Sequence, residues 1–289
     1  MSVQDYQCAH EFLENNESYL DERAVENSLL HGLAIKIRDK EFNLPSPPLL
    51  LSVQSLEPPK IWILQTPPKP LVASAVENVH LNQQVLELVS WLYQRQHPVP
   101  GVNGPSFFTD LFASIWEEQT GITAVKILKH RLYHMLSAPE VSAADGEFRS
   151  ATDEDLPVIS EWIQIFSAEA VNEILSIEEA EEIARTKMDH CELFVWTIDH
   201  KLVSLAATAR PVKTGITINY VYTPKEYRGQ GYASQCVRHL CRKLFSQGWQ
   251  FCMLYADLQN PISNHIYQKM GFTFLTDHDL VLFHSDDKD

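Results

Sequence analysis

Residues 228–233, Arg-Gly-Gln-Gly-Tyr-Ala, form a glycine-punctuated turn between a β-branched run and an amphipathic helical pattern. A turn of this kind gathers several backbone N–H groups around one small volume at the positive end of a helix. The chemistry it offers is anion binding, on the scale of a phosphate or pyrophosphate. Gly229 and Gly231 let the anion approach the backbone with no Cβ in the way. A dinucleotide fingerprint fits less well, because Ser234 stands where the third glycine belongs and Asp257 comes too late for the acidic partner. A phosphate loop would need Gly-Lys-Ser/Thr, which does not follow. The plain alternative is a glycine turn that only joins a strand to a helix.

Positioning this turn requires particular neighbours. Ile216–Tyr222 is rich in β-branched and aromatic residues and predicts a strand, which Pro224 stops near Thr223. After the turn, Ala233, Val237, Leu240, Cys241 and Leu244 recur at helical spacing, and Gly248 ends the helix. Arg238, Arg242 and Lys243 fall on its polar side and, with Arg228, gather positive charge around the turn. The apolar run Phe251–Tyr255 predicts a strand covered on both faces. A short helix then follows, with Pro261 early in it, Ser263 helping to cap it and Gly271 closing it. Final strands are expected near Phe272–Thr276 and Leu280–His284.

The segments Tyr-Arg-Gly-Gln-Gly-Tyr-Ala (227–233) and Asn-Pro-…-Ile-Tyr-Gln-Lys-Met-Gly-Phe (260–272) together resemble the two acyl-CoA-binding motifs of the GNAT acetyltransferase superfamily. The motif-bearing stretch covers 216–275, and the order of elements extends the resemblance over 146–289. The resemblance implies an acyl-CoA lying in a V-shaped gap between parallel strands 216–223 and 251–256. The pantetheine arm would bond to the backbone of Tyr220, Val221, Tyr222 and Thr223. The pyrophosphate would sit on the N–H groups of Arg228, Gly229, Gln230, Gly231, Tyr232, Ala233 and Ser234, helped by the nearby basic side chains. Asn260 and Asn264 match polar positions near the cofactor arm; capping is their plain alternative. Tyr267 matches the tyrosine that donates to the departing thiolate in many relatives, or it only packs against the cofactor. A common glutamate on the strand before the turn is missing, with Asn219 and Tyr220 in its place and Glu226 in the loop. The base is therefore unassigned, and an amine deprotonated through water fits.

The activity so implied is transfer of an acetyl group from acetyl-CoA to a primary amine, on a small molecule or a lysine side chain, by direct attack in a ternary complex. A non-catalytic acyl-CoA-binding or sensor module is the alternative. The acidic run Glu169, Glu173, Glu178, Glu179, Glu181 and Glu182 would attract a cationic acceptor if it lined the cleft, or it is simply a solvated helix face.

Composition narrows the class. The chain has 289 residues, 45% of them hydrophobic, and a formal charge of −15, which argues against a nucleic-acid partner. No apolar stretch approaches a membrane span, and Met-Ser-Val-Gln-Asp-Tyr-Gln lacks the character of a secretory signal. Cys8, Cys191, Cys236, Cys241 and Cys252 are odd in number with no CxxC, and most sit in apolar patterns, which suggests reduced, mostly buried thiols in a cytoplasmic protein and no structural zinc. His130 and His134 would share one face of a helix and make half a metal site; no third ligand is evident, and the segment reads equally as strand, so no metal is expected.

The stretch Ser137–Gly146 reads as a boundary, dividing the chain into domains at 1–142 and 146–289. In the second, Phe148 lies in a short strand, and Thr152 with Asp155 forms a capping box before a helix through Leu156, Ile159, Ile163 and Phe166. A hairpin of Leu193–Ile198 and Leu202–Ala209 turns at Asp199-His200-Lys201. The first half carries a fainter version of this order. Residues 11–38 and Leu81–Gln94 read as helical, and Leu49–Val53, Ile61–Gln65 and Leu71–Ser74 as strands. A glycine turn at 101–105 then precedes a helix at Phe107–Gln119. That turn lacks the arginine and has Pro105 where an N–H is needed. The expected fold is α/β (α+β): a mixed, mostly antiparallel sheet flanked by helices, in a tandem of GNAT-like domains of which the first lacks the cofactor motif. A monomer or homodimer is expected. The scattered prolines, Pro45 through Pro70, mark loops and edges.

Overall fold

The computed structural model describes residues 2–41, 44–54, 60–141, 144–171 and 173–284. Pro58, Pro59 and the expected boundary residue 142 lie outside them. The chain forms two compact units, one of residues 1–132 with 275–289 and the other of 133–274.

The first unit runs β1 (Ser2–Asp5), α1 (Ala9–Glu22), α2 (Ala24–Arg38), β2 (Leu49–Gln54), β3 (Ile61–Gln65), β4 (Leu71–Ala75), α3 (Leu81–Gln94), β5 (Gly101–Pro105) and α4 (Ser106–Thr120), with most of β6 (Thr123–Met135). The helical stretch expected over 11–38 is two helices, because Arg23 leaves the helical region at φ −129°, ψ 55°. The four strands β1 to β4 pair antiparallel in order. One face of this sheet buries Phe12, Leu20 and Leu30 against Leu50 and Trp62; the other buries Val85, Leu88, Phe108 and Phe112.

The expected glycine turn at 101–105 is instead strand β5, parallel to β4. Its glycines serve strand packing: a Cβ on Gly101 would meet the carbonyl oxygen of Val281, and one on Gly104 would stand 3.0 Å from the Cβ of Ala73. The segment that joins β4 to α3, where the second half has its glycine turn, is Val-Glu-Asn-Val-His (76–80), with neither glycine nor arginine.

The second unit repeats the order: β7 (Glu147–Ser150), α5 (Leu156–Val171), α6 (Ile177–Asp189), β8 (Leu193–Ile198), β9 (Lys201–Ala209), β10 (Gly215–Tyr222), α7 (Tyr232–Ser246), β11 (Phe251–Asp257) and α8 (Pro261–Lys269), leading into β12 (Thr273–His284). Strands β7 to β10 are antiparallel neighbours, and β11 runs parallel to β10. A sheet of this mixed, mostly antiparallel kind, with helices on both faces, matches the expected fold class, and the tandem repeat is present element for element. The expected capping box is formed: Thr152 N–H donates to Asp155 Oδ2 at 2.8 Å, and Arg149 clamps both carboxylate oxygens at 2.6 and 2.9 Å. Helices α5 and α6 bury Leu156, Ile159, Ile163, Ala180 and Ala184 on one face. Helices α7 and α8 bury Cys236, Val237, Leu240 and Met270 on the other.

Two expected strands at the C-terminus are one continuous strand, β12. Asp277-His278-Asp279 read as a break because polar residues in a row suggest a loop. Here His278 and Asp279 are buried, and Asp279 accepts a bond from Lys126 Nζ at 2.5 Å. Residues His278–Leu282 pair antiparallel with β5. The last strand of the sequence therefore completes the first unit. Where sequence placed 146–289 in one domain, the compact units assign 275–289 to the first.

Candidate active site

Strand β10 gives the site its opening. Its parallel pairing with β11 is Gly215 with Phe251, Ile216 with Cys252 and Thr217 with Met253. Beyond Thr217 the pairing stops, although both strands continue for several residues. On the other edge of β10 the register with β9 slips between Asn219 and Tyr222, and Tyr220 sits at φ +48°. A bulge of this kind turns the strand and re-aims its backbone groups. The two parallel strands thus part where Tyr220, Val221, Tyr222 and Thr223 stand. The slot is a gap between strands, suited to an extended arm.

The carbonyl of Tyr222 is already engaged on the β9 side, accepting from Ser204 Oγ at 3.1 Å, and Thr223 Oγ1 lies 2.9 Å from the same hydroxyl. Ser204 thereby fixes the end of β10 from behind, a role that sequence gave no means of seeing.

The turn after β10 has the geometry an anion cradle needs. Gly229 and Gly231 have φ of +80° and +82°, the left-handed region, and nothing lies within 4 Å of where a Cβ would stand on either. The ladder of α7 starts with Gln235 N–H donating to Gly231 O at 3.0 Å. The N–H groups of Tyr232, Ala233 and Ser234 precede that bond and point out of the helix N-terminus. Gln230 accepts a bond from the Tyr232 hydroxyl at 2.9 Å.

Arg228 is held beside the turn by its own contacts. Its Nε donates to Thr223 O at 2.9 Å, and its Nη2 lies 3.2 Å from Glu169 Oε2 on α5. Lys225 reaches the same carboxylate at 3.8 Å. The expected gathering of Arg238, Arg242 and Lys243 around the turn does not occur. They lie one to three helical turns along α7, roughly 9–17 Å from its start at a rise of about 1.5 Å per residue. Arg238 donates to the carbonyls of Glu140 and Lys269, and Lys243 lies over the Phe194 ring.

The second motif builds α8. Asn260 caps it, accepting from Ser263 N–H at 3.1 Å, so the cap is Asn260 rather than Ser263. Asn264 is buried and fully engaged: its amide donates to Asp257 O and Asn260 O at 2.7 Å, and its oxygen accepts from the Tyr133 hydroxyl at 2.8 Å. Asn264 thus locks the end of β11 to the start of α8.

Tyr267 packs with ring centroids 6.4 Å from Tyr133 and 5.9 Å from Phe272. It keeps some accessible surface, yet the protein around its hydroxyl is that of an interior group. Burial, with the neighbouring Cys241 adding to it, pushes its phenol well above the usual tyrosine range. A group so placed holds its proton at neutral pH. Burial likewise raises the Cys236 and Cys241 thiols, which excludes them as nucleophiles at that pH.

The acidic run divides. Glu169 holds Arg228, Glu179 closes a capping box with Ser176, and Glu181 pairs with Arg185 at 2.8 Å. Glu178 and Glu182 are exposed along a solvent-open groove of about 320 Å³. Another open hollow, of about 500 Å³, belongs to the first unit and is lined by Tyr93, His97 and Trp116. Neither contains the residues of the slot. His130 and His134 lie on strand β6, where four residues span about 13 Å, so the pair cannot clasp one ion. Among the described residues no cluster of ligating side chains could hold a metal, and no helix is long and apolar enough to cross a membrane.

Sequence reasoning missed Arg210. It directly follows β9, has φ +46°, and its Nε is enclosed without a hydrogen-bond partner. The signal was available: an arginine directly after the apolar run Leu202–Ala209 is unusual, because arginine is seldom buried unpaired.

Residues 159–272 match the family model described as Acetyltransferase (GNAT) family. Solved structures similar along nearly the whole chain include a GNAT-family acetyltransferase from Colwellia psychrerythraea, at 13% identity and TM-score 0.56, covering 98% of this chain and 99% of that one. A Drosophila protein aligns at 9% identity and TM-score 0.65, covering 97% and 98%. A GCN5-related N-acetyltransferase from Sphaerobacter thermophilus aligns at 14% identity and TM-score 0.58, covering 97% and 94%. At these identities the structures establish a shared fold. No curated protein matches the sequence at a significant level.

Proposed function

We propose, from the match of residues 159–272 to the GNAT acetyltransferase family model, that this acyltransferase moves an acetyl group from acetyl-CoA to a primary amine in one ternary complex. The observation that carries the reading is the parting of β10 from β11 beyond Thr217, directly followed by the open turn at Gly229 and Gly231. The diphosphate of the donor rests on the N–H groups of Gly229–Ser234 at the start of α7. The pantetheine arm extends along Tyr220–Thr223 as a further strand would. Glu169 releases Arg228 to the phosphates or shares it with them. Asn260 and Asn264 serve by holding α8 beside the arm.

In the reaction a neutral amine attacks the thioester carbonyl. A C–N bond forms, the C–S bond breaks, and the proton lost by nitrogen leaves through water. A backbone N–H of the bulged strand donates to the developing oxyanion. Tyr267, kept protonated by burial, donates a hydrogen bond to the departing thiolate. The domain of residues 1–132 serves without a donor site of its own, since the segment 76–80 offers no glycine cradle.

Thiol release from acetyl-CoA in the presence of an amine panel tests the reading. Turnover of one or more amines supports it. Tight binding of acetyl-CoA with no release across the panel would instead indicate a sensor.

A further inference from the structure

On the sheet face covered by α5 and α6, the slot carries polar groups that the donor side does not use. Asn219 pairs with Ala207 across β9 and β10, and Thr217 with Ala209. Directly paired residues share a face, and Ala207 belongs to the core under α5 and α6. The opposite face of β10, with Ile216 and Ile218, belongs to the α7 core. Asn219 Oδ1 and Thr217 Oγ1 are buried on the α5–α6 side without hydrogen-bond partners.

Arg210 joins this group. It is only partly exposed, and the protein surrounding its charge is that of an interior site. Burial lowers its pKa, while Tyr255, Tyr220 and Glu192 act in the opposite direction. Glu192 is the carboxylate among these neighbours, and it is committed elsewhere, 3.2 Å from Lys187 Nζ. That ammonium also donates to Thr208 O at 2.7 Å and lies 5.5 Å from the Tyr220 ring centroid. Two cations, Arg210 and Lys187, thus stand here with the bound carboxylate of Glu192, while the exposed Glu173 acts on Tyr220 from outside. Among the described residues, Arg210 has no ion-pair partner. Arg210 directly follows Ala209, the strand partner of Thr217, and a guanidinium with an enclosed, unpaired Nε on the same stretch as buried oxygens without partners is complementary to a zwitterion.

Resting on the acyl-transfer reading above, we propose that the acceptor is an α-amino acid, its carboxylate held by Arg210 and its amino group directed to the slot beside Thr217 and Asn219. The products are then an N-acetylated amino acid and free CoA. The solvated carboxylates of α6 take no part in choosing it.

The test uses the full chain, acetyl-CoA and a set of α-amino acids, each beside its carboxamide and its decarboxylated amine. Thiol release should show at least one amino acid with kcat/KM tenfold or more above both analogues. In Arg210→Met that preference should collapse toward unity through a raised KM, with the Kd for acetyl-CoA unchanged, and Arg210→Lys should restore part of it. A donor-free arm reads thermal stability: the preferred amino acid should raise Tm of the wild type, its carboxamide and acetate should not, and Arg210→Met should lose the shift. Equal use of the amides, a preference that survives in Arg210→Met, or no amino acid that is either acylated or stabilising would overturn the proposal. Failure of the wild type to bind acetyl-CoA would strike the reading of the glycine turn instead, and the donor-free arm would still decide on Arg210.

Discussion

Tyr267 keeps its proton because burial penalises the phenolate. An acid that stays protonated is useful only where a stronger base appears beside it, and a thiolate leaving group is such a base for the moment of cleavage. Tyr267→Phe is therefore expected to lower kcat by on the order of 10²-fold, the lower range for a positioned acid. Its Kd for CoA should stay within about twofold, because the packing with Tyr133 and Phe272 is kept. Steady-state kinetics with parallel calorimetry checks both numbers; unchanged kcat would reduce Tyr267 to packing. At this scale the sequence was informative where a residue type is rare in its setting. The two glycines, Asn260 and Tyr267 could be picked out because motif spacing singles them out. Ser204 and Asn264 could not be assigned their partners, since their bonds to Tyr222 and Tyr133 join residues 18 and 131 positions apart.

Among elements, the ion pair between α5 and the anion turn has a testable consequence. Glu169 holds Arg228 at 3.2 Å, at an exposed site where such a pair is worth about 0–1 kcal/mol. Glu169→Gln should leave the fold intact and tighten acetyl-CoA binding by up to about fivefold, measured by calorimetry, because the guanidinium is freed for phosphate. Weaker binding would show that Glu169 positions Arg228 instead of competing for it. The start of α5 supplies a pH prediction. Burial opposes ionisation of Asp155, but the Arg149 clamp and the Thr152 bonds outweigh it and hold its carboxyl below the usual range. A depressed folded pKa gives stability that is present above the unfolded value of about 3.9 and is lost as pH falls through the folded value. Asp155→Asn should thus cost roughly 2–4 kcal/mol at pH 7. In urea melts the gap from wild type should narrow only below about pH 4. These elements were legible where local chemistry decides them, as at Thr152 and Asp155. Strand β5 was not, because Gly101 and Gly104 look like a turn until Val281 and Ala73 are seen against them.

For the whole molecule, the last strand makes the first unit depend on the end of the chain. Val281 is buried in the core of Leu88, Phe108 and Phe112, and Phe283 packs against it. Ending the chain at Phe274 removes this strand from beside β5 and leaves Lys126 without Asp279. The loss should be on the order of 5 kcal/mol, comparable to the stability of a domain, and limited proteolysis should then cut first within residues 1–132. Cleavage confined to 133–274 would contradict this assignment. Element order made the repeat visible in the sequence, but nothing local could tell that the strand after α8 pairs with β5, because pairing partners are set by contacts distant in sequence.

The most direct measurement is calorimetric titration of the protein with acetyl-CoA and with S-acetylpantetheine, which lacks the diphosphate, in the wild type and in Gly231→Val. A Cβ at Gly231 would strain φ of +82° and project into the open space before the turn. The wild type is predicted to bind acetyl-CoA at least about a hundredfold more tightly than S-acetylpantetheine, a difference of about 2.7 kcal/mol, and Gly231→Val should erase that difference. Equal binding of the two donors by the wild type, or an undiminished difference in Gly231→Val, would contradict the account.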